Sequence, residues 1–340
     1  MTTERTESPA SGTAPLLQLQ GLSKTFRVGL LGRQVQAVRD VTLDVFAGQS
    51  VGYLGPNGSG KTTSIKCILG LIAPSKGEIR LFGRPGADPM ARAKVGYLPE
   101  SPYFYDYLTP TEVLEYVGKL YGIAAKDRAR RIPMLLDRVG LTHAAGRPLR
   151  GFSKGMLQRV GLAQSLVADP DLLIYDEPMS GLDPIGRKEV RELMAELRAQ
   201  GKTLFFSSHV LADVEALCDS VCILDSGKVV AQGRLSELLR TDQMESEAVI
   251  ELPLAPIDRD AALVALQGLT GATVLATVDR ARIVLPTDTV SAMNRLVDQH
   301  GARLRELSPR RDTLEELFVR KAVHRSDGSD AQSTQQGATP

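Results

Sequence analysis

The chain has 340 residues, of which 43% are hydrophobic, and its 41 basic and 40 acidic side chains give a formal charge of +1. This length suggests about two domains with room for a full core, and the near-neutral charge excludes the electrostatic footprint of a protein that coats nucleic acid. No apolar run approaches the roughly 20 residues that span a bilayer, and residues 1–12 contain no hydrophobic signal-peptide core. We therefore expect a cytoplasmic protein with no nucleic-acid partner.

Residues 1–15 and 325–340 are rich in small polar residues, so they are predicted to be disordered tails. From residue 16 to residue 240, apolar runs with strand character alternate with segments of helical period. This alternation predicts an α/β fold around a mostly parallel, buried sheet. The strand-like runs are residues 17–19, 41–46, 51–54, 172–175, 204–206 and 221–224.

A helical subdomain is predicted within this α/β domain, over about residues 100–168. It begins with a capping box at residues 109–112, which has proline at the first helical position. Helical periodicity returns over residues 131–139 and 154–167. After the last core strand, the Ser-Gly pair at residues 226–227 separates two apolar runs and predicts a hairpin.

A polar linker, residues 241–247, precedes a second and smaller unit over residues 248–323. The patterns follow in the order strand, helix, two strands, helix and strand, which is the βαββαβ order of a ferredoxin-like domain. A final helix is predicted over residues 313–323. The predicted fold class of the whole chain is therefore α/β with a small α+β accessory domain at its C-terminal end.

The clearest motif is a phosphate loop. Residues 55–62 match G-x-x-x-x-G-K-[ST] and lie between a predicted strand and a helical run, which is the context that this motif requires. Glycines let the backbone wrap around phosphate oxygens, Lys61 reaches the outer phosphates and the Thr62 hydroxyl can ligate Mg²⁺. The predicted nucleotide-binding residues of this segment are Gly55, Pro56, Asn57, Gly58, Ser59, Gly60, Lys61, Thr62 and Thr63.

A second motif supplies two adjacent carboxylates. The apolar run 172–175 ends in Asp176 and Glu177. A carboxylate at the mouth of a buried sheet is costly unless it meets a cation, so Asp176 is predicted to hold Mg²⁺. Glu177 is predicted to polarise a water for in-line attack on the γ-phosphate of a nucleotide.

With these two motifs, the chain resembles the nucleotide-binding subunit of an ABC transporter, a P-loop NTPase cassette with a helical insertion. That family has a signature motif shortly before the acidic strand, and residues 152–159, Phe-Ser-Lys-Gly-Met-Leu-Gln-Arg, are similar to it. The resemblance implies that Ser153 and the Gly155 backbone contact the γ-phosphate of ATP bound to the opposite subunit. It also implies a head-to-tail pair of cassettes, most simply a homodimer, with two nucleotides buried between them.

Three further positions extend the resemblance, which covers residues 16–239. Residues 180–183, ending in Asp183, are similar to the D-loop that crosses the dimer interface. His209 is similar to the switch histidine, which contacts the γ-phosphate and orients the attacking water. Phe26 resembles the aromatic residue that stacks on adenine, although core packing is an alternative explanation for its side chain.

Two features depart from the common family pattern. Glu100 stands where most relatives have glutamine, and it can still approach Mg²⁺ or the water; the alternative is a solvated carboxylate at a hinge. In the signature, Lys154 replaces a glycine and Met156 replaces a glutamine. Together with the C-terminal unit, these departures resemble the branch of bacterial export cassettes whose membrane partners are separate polypeptides.

The resemblance implies an ATP-hydrolysing motor subunit, peripheral on the inner face of the cell membrane, with ATP and Mg²⁺ as its ligands. Two cassettes would sandwich two MgATP and drive export through separate transmembrane permease subunits. An importer ATPase is an alternative, because the core motifs do not encode direction. A soluble ABC ATPase without a transport role is a second alternative, although the chain has one phosphate loop and no long coiled coil. The cargo is not encoded in this chain.

Overall fold

The computed structural model describes residues 14–29, 33–239, 245–310 and 313–317. The chain divides into two compact units, Met1–Ser236 and Glu237–Pro340. Most of the N-terminal tail and the whole C-terminal tail expected from the sequence lie outside the described residues. In the parts of the chain that the structure describes, no helix combines the length and apolar character needed to cross a bilayer.

The larger unit contains ten strands and seven complete helices among its described residues. The strands are β1 (Leu17–Val28), β2 (Arg33–Val45), β3 (Ser50–Leu54), β4 (Lys76–Leu81), β5 (Arg84–Pro85), β6 (Val95–Leu98), β7 (Leu172–Tyr175), β8 (Thr203–Ser208), β9 (Ser220–Asp225) and β10 (Lys228–Arg234). The helices are α1 (Lys61–Ile68), α2 (Pro89–Arg92), α3 (Pro110–Leu120), α4 (Ala125–Arg138), α5 (Lys154–Leu166), α6 (Pro184–Ala199) and α7 (Leu211–Leu217). A short helix, α8 (Leu235–Leu238), follows at the boundary between the units.

The central sheet has the strand order β10-β9-β3-β8-β7-β6. Strand β3 pairs in parallel with β8 and β9, β7 pairs in parallel with β6 and β8, and only β10 runs antiparallel, in a hairpin with β9. Every residue of β3, β7 and β8 is buried, which explains why their apolar segments, residues 51–54, 172–175 and 204–206, do not alternate with polar residues. The predicted parallel sheet and hairpin are confirmed. Because the strands are parallel, the residues that follow β3, β7 and β8 meet at one edge.

Two of the predicted core strands lie in a different sheet, which corrects the sequence analysis. The runs at residues 17–19 and 41–46 are parts of the long strands β1 and β2, which form an antiparallel sheet of order β2-β1-β4-β5. The connection between β1 and β2 is short, and a short connection allows antiparallel pairing but not a parallel crossover. This sheet and the central sheet share one apolar core, which includes Leu17, Val41, Ile65, Ile68, Phe205 and Leu224.

Residues 100–168 contain α3, α4, two short 3-10 turns and α5, and no strand. The capping box is present: the Thr109 hydroxyl accepts a hydrogen bond from Glu112 N at 3.2 Å, and Glu112 Oε2 accepts one from Thr109 N at 2.8 Å. Helix α4 begins six residues before the predicted start at residue 131. The prediction missed these residues because the first turns of the helix are polar and carry no apolar periodicity.

The smaller unit contains β11 (Glu245–Glu251), α9 (Pro256–Gln267), β12 (Thr273–Ala276), β13 (Arg280–Pro286), α10 (Val290–Gln299) and β14 (Arg303–Pro309). This is the predicted βαββαβ order. The strands form one antiparallel sheet of order β12-β13-β11-β14, whose buried side chains pack with Leu266, Met293 and Val297 of the two helices. Of the predicted last helix, residues 314–317 are helical, and the part beyond residue 317 lies outside the described residues.

Candidate functional site

The phosphate loop joins β3 to α1 in a shape that needs glycine at two positions. Gly55 has a φ of 152° and Gly60 a φ of 104°, both on the side of backbone space that L-side chains rarely adopt. A Cβ atom at Gly55 would collide with the Leu224 carbonyl, and one at Gly60 would collide with the Ala37 carbonyl. The loop therefore lies directly against two backbone segments, and its residues Pro56, Asn57 and Gly58 are exposed at the tip.

Lys61 is almost completely buried, with 5% of its side chain exposed. Its ammonium group donates hydrogen bonds to the carbonyls of Gly55 at 2.6 Å and Pro56 at 3.2 Å, and lies 3.4 Å from Glu177 Oε1. Nearby, the buried Ser59 hydroxyl has no hydrogen-bond partner among the described residues. A buried polar atom without a partner is uncommon, and here it fits a loop shaped for phosphate oxygens. Thr62 and Thr63 follow, half-buried in the first turn of α1.

Asp176 and Glu177 follow β7 and are both buried. Ser207, on the neighbouring strand β8, donates a hydrogen bond to Asp176 Oδ1 at 2.6 Å and accepts one from Glu177 N at 2.9 Å. Burial, and in second place the negative charge of Asp176, raises the pKa of Tyr97 to about 12, so this phenol stays neutral. Sequence reasoning missed Ser207; the available signal was a serine directly after the apolar run 204–206 of a buried strand.

Glu177 contacts the other two residues that the sequence predicts to be catalytic, Lys61 and His209. One carboxylate oxygen faces Lys61 Nζ, and the other lies 2.8 Å from His209 Nδ1. His209 comes directly after β8, and 44% of its side chain is exposed. Glu177 thus lies between an ammonium group and an imidazole at the mouth of the site, where it can act as a proton acceptor.

The donor atoms at this edge fit Mg²⁺ held jointly with a substrate. Among the described residues, no group of three or more Asp, Glu, His or Cys side chains forms a metal cage. Mg²⁺ commonly binds through one or two protein oxygens together with substrate phosphates and water, and Asp176 and Thr62 offer such oxygens. Glu100 follows β6, the strand beside β7, but its side chain is exposed and makes no hydrogen bond or ion pair with Asp176 or Thr62.

The predicted signature residues lie at the N-terminal end of α5. The Ser153 hydroxyl accepts a hydrogen bond from Met156 N at 3.2 Å and so caps α5, while Asp183 caps α6. Gly155 lies against the side chain of Leu182, which places the start of α5 beside residues 180–183. Among the described residues, no hydrogen bond or ion pair connects Ser153, Gly155 or Asp183 to Lys61, Glu177 or His209.

Phe26 lies on β1 with 36% of its side chain exposed, and the Lys24 ammonium is 5.1 Å from the centre of its ring. The ring is therefore not part of the core, and the core-packing explanation is not supported. An exposed aromatic face is available for stacking.

Comparison with known proteins gives the family. The sequence profile of the ABC transporter family matches residues 38–180. An uncharacterized ABC transporter ATP-binding protein of Synechocystis is 47% identical over 233 residues, which are 68% of this chain and 66% of that protein. The uncharacterized ABC transporter ATP-binding protein YdbJ of Bacillus subtilis is 34% identical over 322 residues, 93% of this chain and 98% of that protein. The chain belongs to the ATP-binding subunits of ABC transporters.

Members of this family are ATPases, and other relatives of this ABC subunit have more specific names. The Nod factor export ATP-binding protein I of Ralstonia nicotianae is 37% identical over 238 residues, 69% of this chain and 72% of that protein. Among solved structures, an ATP-binding subunit of an ABC transporter has a TM-score of 0.60 and 36% identity, covering 66% of this chain and 91% of that one. A dimeric ATP-binding cassette in a post-hydrolysis state with ADP and Pi has a TM-score of 0.59 and 25% identity, covering 64% and 98%.

Proposed function

We propose that this chain is the ATP-hydrolysing motor subunit of an ABC transporter and works as a head-to-tail pair of cassettes that encloses two MgATP. The observation that carries this proposal is the division of the site. Lys61, Glu177 and His209 form one connected group, whereas Ser153 and Gly155 lie on a surface with no direct bond to it. A second copy that places its α5 N-terminus over the phosphate loop completes the site, and the dimeric state of a related cassette supports a second copy.

The residues of the chain divide the work of hydrolysis. Lys61 turns from the loop carbonyls towards the outer phosphates of ATP, and Ser153 of the second copy binds the γ-phosphate at a helix N-terminus. Glu177 accepts a proton from the attacking water while the bond between the γ-phosphorus and the leaving oxygen breaks. His209 holds the second Glu177 oxygen and so orients that carboxylate. When bound at Asp176 and Thr62, Mg²⁺ supplies charge neutralisation on the phosphates.

The transport role rests on the family and on the names of relatives. We propose that closure of the pair moves separate permease subunits at the inner face of the membrane. Export is the favoured direction, because a relative covering most of the cassette is named for Nod factor export. Co-purification with a membrane protein encoded by a neighbouring reading frame tests the permease partner, and vesicles containing both proteins show the direction of transport.

A complementation experiment tests the divided site. Lys61→Ala removes the phosphate-binding ammonium, and Ser153→Asp keeps a good helix cap while placing a negative charge where the γ-phosphate must bind. Each variant alone is expected to lose ATP hydrolysis.

In a head-to-tail pair, mixed dimers contain one intact site and one doubly altered site. A 1:1 mixture should therefore recover up to about a quarter of the wild-type rate, since half of the dimers are mixed and each has one working site of two. A Ser153→Asp variant with full activity alone, or a mixture with no recovery, contradicts the proposal.

A further inference from the structure

Ser207 is a buried serine whose hydroxyl is bonded to both acidic residues of the site. It is fully buried near the end of β8. Its proton goes to Asp176 Oδ1 at 2.6 Å, and its oxygen receives the Glu177 backbone N–H at 2.9 Å. The single hydroxyl thus holds Asp176 by its side-chain carboxylate and Glu177 by its backbone N–H.

Both bonds act where the local structure needs support. Glu177 has a φ of 48°, a left-handed conformation that is strained for a non-glycine residue and persists only when its surroundings hold it. The Asp176 side chain is buried, with 1% exposure. If its carboxylate could rotate freely, its oxygens would not keep one fixed direction towards a ligand. By bonding Oδ1, Ser207 sets the plane of the carboxylate and leaves its other oxygen available to a ligand.

The next residue, Ser208, provides an internal comparison. Successive side chains of a strand point to opposite faces, so Ser208 does not share the environment of Ser207. Its hydroxyl accepts a hydrogen bond from Val210 N at 3.0 Å and donates to Val210 O at 3.3 Å. Ser208 therefore stabilises the local turn before α7 and has no bond to Asp176 or Glu177.

We propose that Ser207 is a positioning residue of the ATPase site, which presets the Asp176 carboxylate for Mg²⁺ and holds the Glu177 peptide so that its side chain reaches Lys61 and His209. This inference rests on the proposed function. Partners behind metal ligands typically contribute about 10- to 100-fold to metal affinity or activity, and Ser207 is such a partner.

The test is Ser207→Ala, with Ser208→Ala as the matched control. Binding of a fluorescent ATP analogue is measured first in EDTA and then against Mg²⁺ concentration. Affinity in EDTA should equal that of wild type, because Lys61 and the loop are unchanged. The Mg²⁺ concentration for half-maximal response should rise about 10- to 100-fold in Ser207→Ala and stay unchanged in Ser208→Ala. The turnover rate with MgATP should also fall in Ser207→Ala.

A double variant separates positioning from general damage. In an Asp176→Asn background the carboxylate that Ser207 orients is gone, so adding Ser207→Ala should change the Mg²⁺ response little further. Residues that act through one group are non-additive in this way. Full additivity of the two changes overturns the proposal.

Equal Mg²⁺ responses and turnover rates in wild type and Ser207→Ala also overturn it, as does the same shift in Ser208→Ala. Thermal unfolding establishes that each variant is folded. If Ser207→Ala does not fold, Ser207→Cys, which keeps a side chain of similar size with a much weaker donor, is judged by the same criteria. A wild-type protein that binds no nucleotide would contradict the proposed function itself, whereas a failure confined to Ser207→Ala contradicts only this inference.

Discussion

The contacts of Glu177 predict an effect on ATP binding, in addition to the proposed role of this residue as a proton acceptor. Its carboxylate lies 3.4 Å from Lys61 Nζ and 2.8 Å from His209 Nδ1. ATP can recruit the Lys61 ammonium only by drawing it away from this carboxylate. The change Glu177→Gln keeps the size of the side chain and removes the negative charge, while Lys61 keeps its two carbonyl acceptors at Gly55 and Pro56.

The size of the effect can be worked out from the geometry. Two unit charges 3.4 Å apart attract each other by about 5 kcal/mol at an effective dielectric constant of 20. Much of this attraction is offset by the cost of removing the two groups from water. His209 also holds the Glu177 carboxylate beside the loop, so the carboxylate still attracts part of the Lys61 charge after ATP binds. We expect a net gain of about 1–2 kcal/mol, which is roughly 5- to 30-fold tighter ATP binding in Glu177→Gln. Turnover should fall by about 10²–10⁴-fold, since a carboxamide is a poor proton acceptor.

The assay is a titration with a fluorescent ATP analogue in EDTA, where neither Mg²⁺ binding nor hydrolysis contributes. Glu192→Gln is the control, because Glu192 is exposed and forms a surface ion pair with Lys188 at 3.7 Å. Its affinity and turnover should equal those of wild type.

Unchanged or weaker binding by a folded Glu177→Gln protein would refute the reasoning that Lys61 is held in competition between this carboxylate and the phosphates. Loss of turnover without tighter binding would be consistent with Glu177 as a proton acceptor, but it would show that Glu177 does not compete with ATP for Lys61.

Two further predictions concern the ends of the site. Lys61→Ala should weaken nucleotide affinity severely, because the loop loses its principal cation; titration with the same fluorescent analogue decides it, and an unchanged affinity would mean that the loop does not bind phosphate. Glu100→Gln should leave nucleotide affinity intact and change the Mg²⁺ dependence of hydrolysis or its stimulation by the permease. Identical ATPase curves for mutant and wild type, with and without the permease, would exclude Glu100 from the site.

The motifs in the sequence were sufficient to predict the parallel sheet and the residues at its edge. A phosphate loop requires specific residue types at fixed local spacing, and a buried parallel strand requires a continuous apolar run, so both are visible along the chain. The capping box at Thr109 and Glu112 is equally local, since its partners are three residues apart. Such features depend on neighbours in sequence and can be predicted without the fold.

Other features depend on which strands become neighbours in space. The pairing of β1 with β2 in a separate sheet was not predicted, because an apolar run does not specify its partner strand. Ser207 bonds to Glu177 across 30 residues of chain, and a polar residue in a strand does not reveal what lies opposite it. The sequence by itself determined the residue types of the site. Only the tertiary structure decided that Ser207 joins the Asp176 carboxylate to the Glu177 backbone N–H and that Glu177 lies between Lys61 and His209, because those contacts exist only once β7 and β8 are paired.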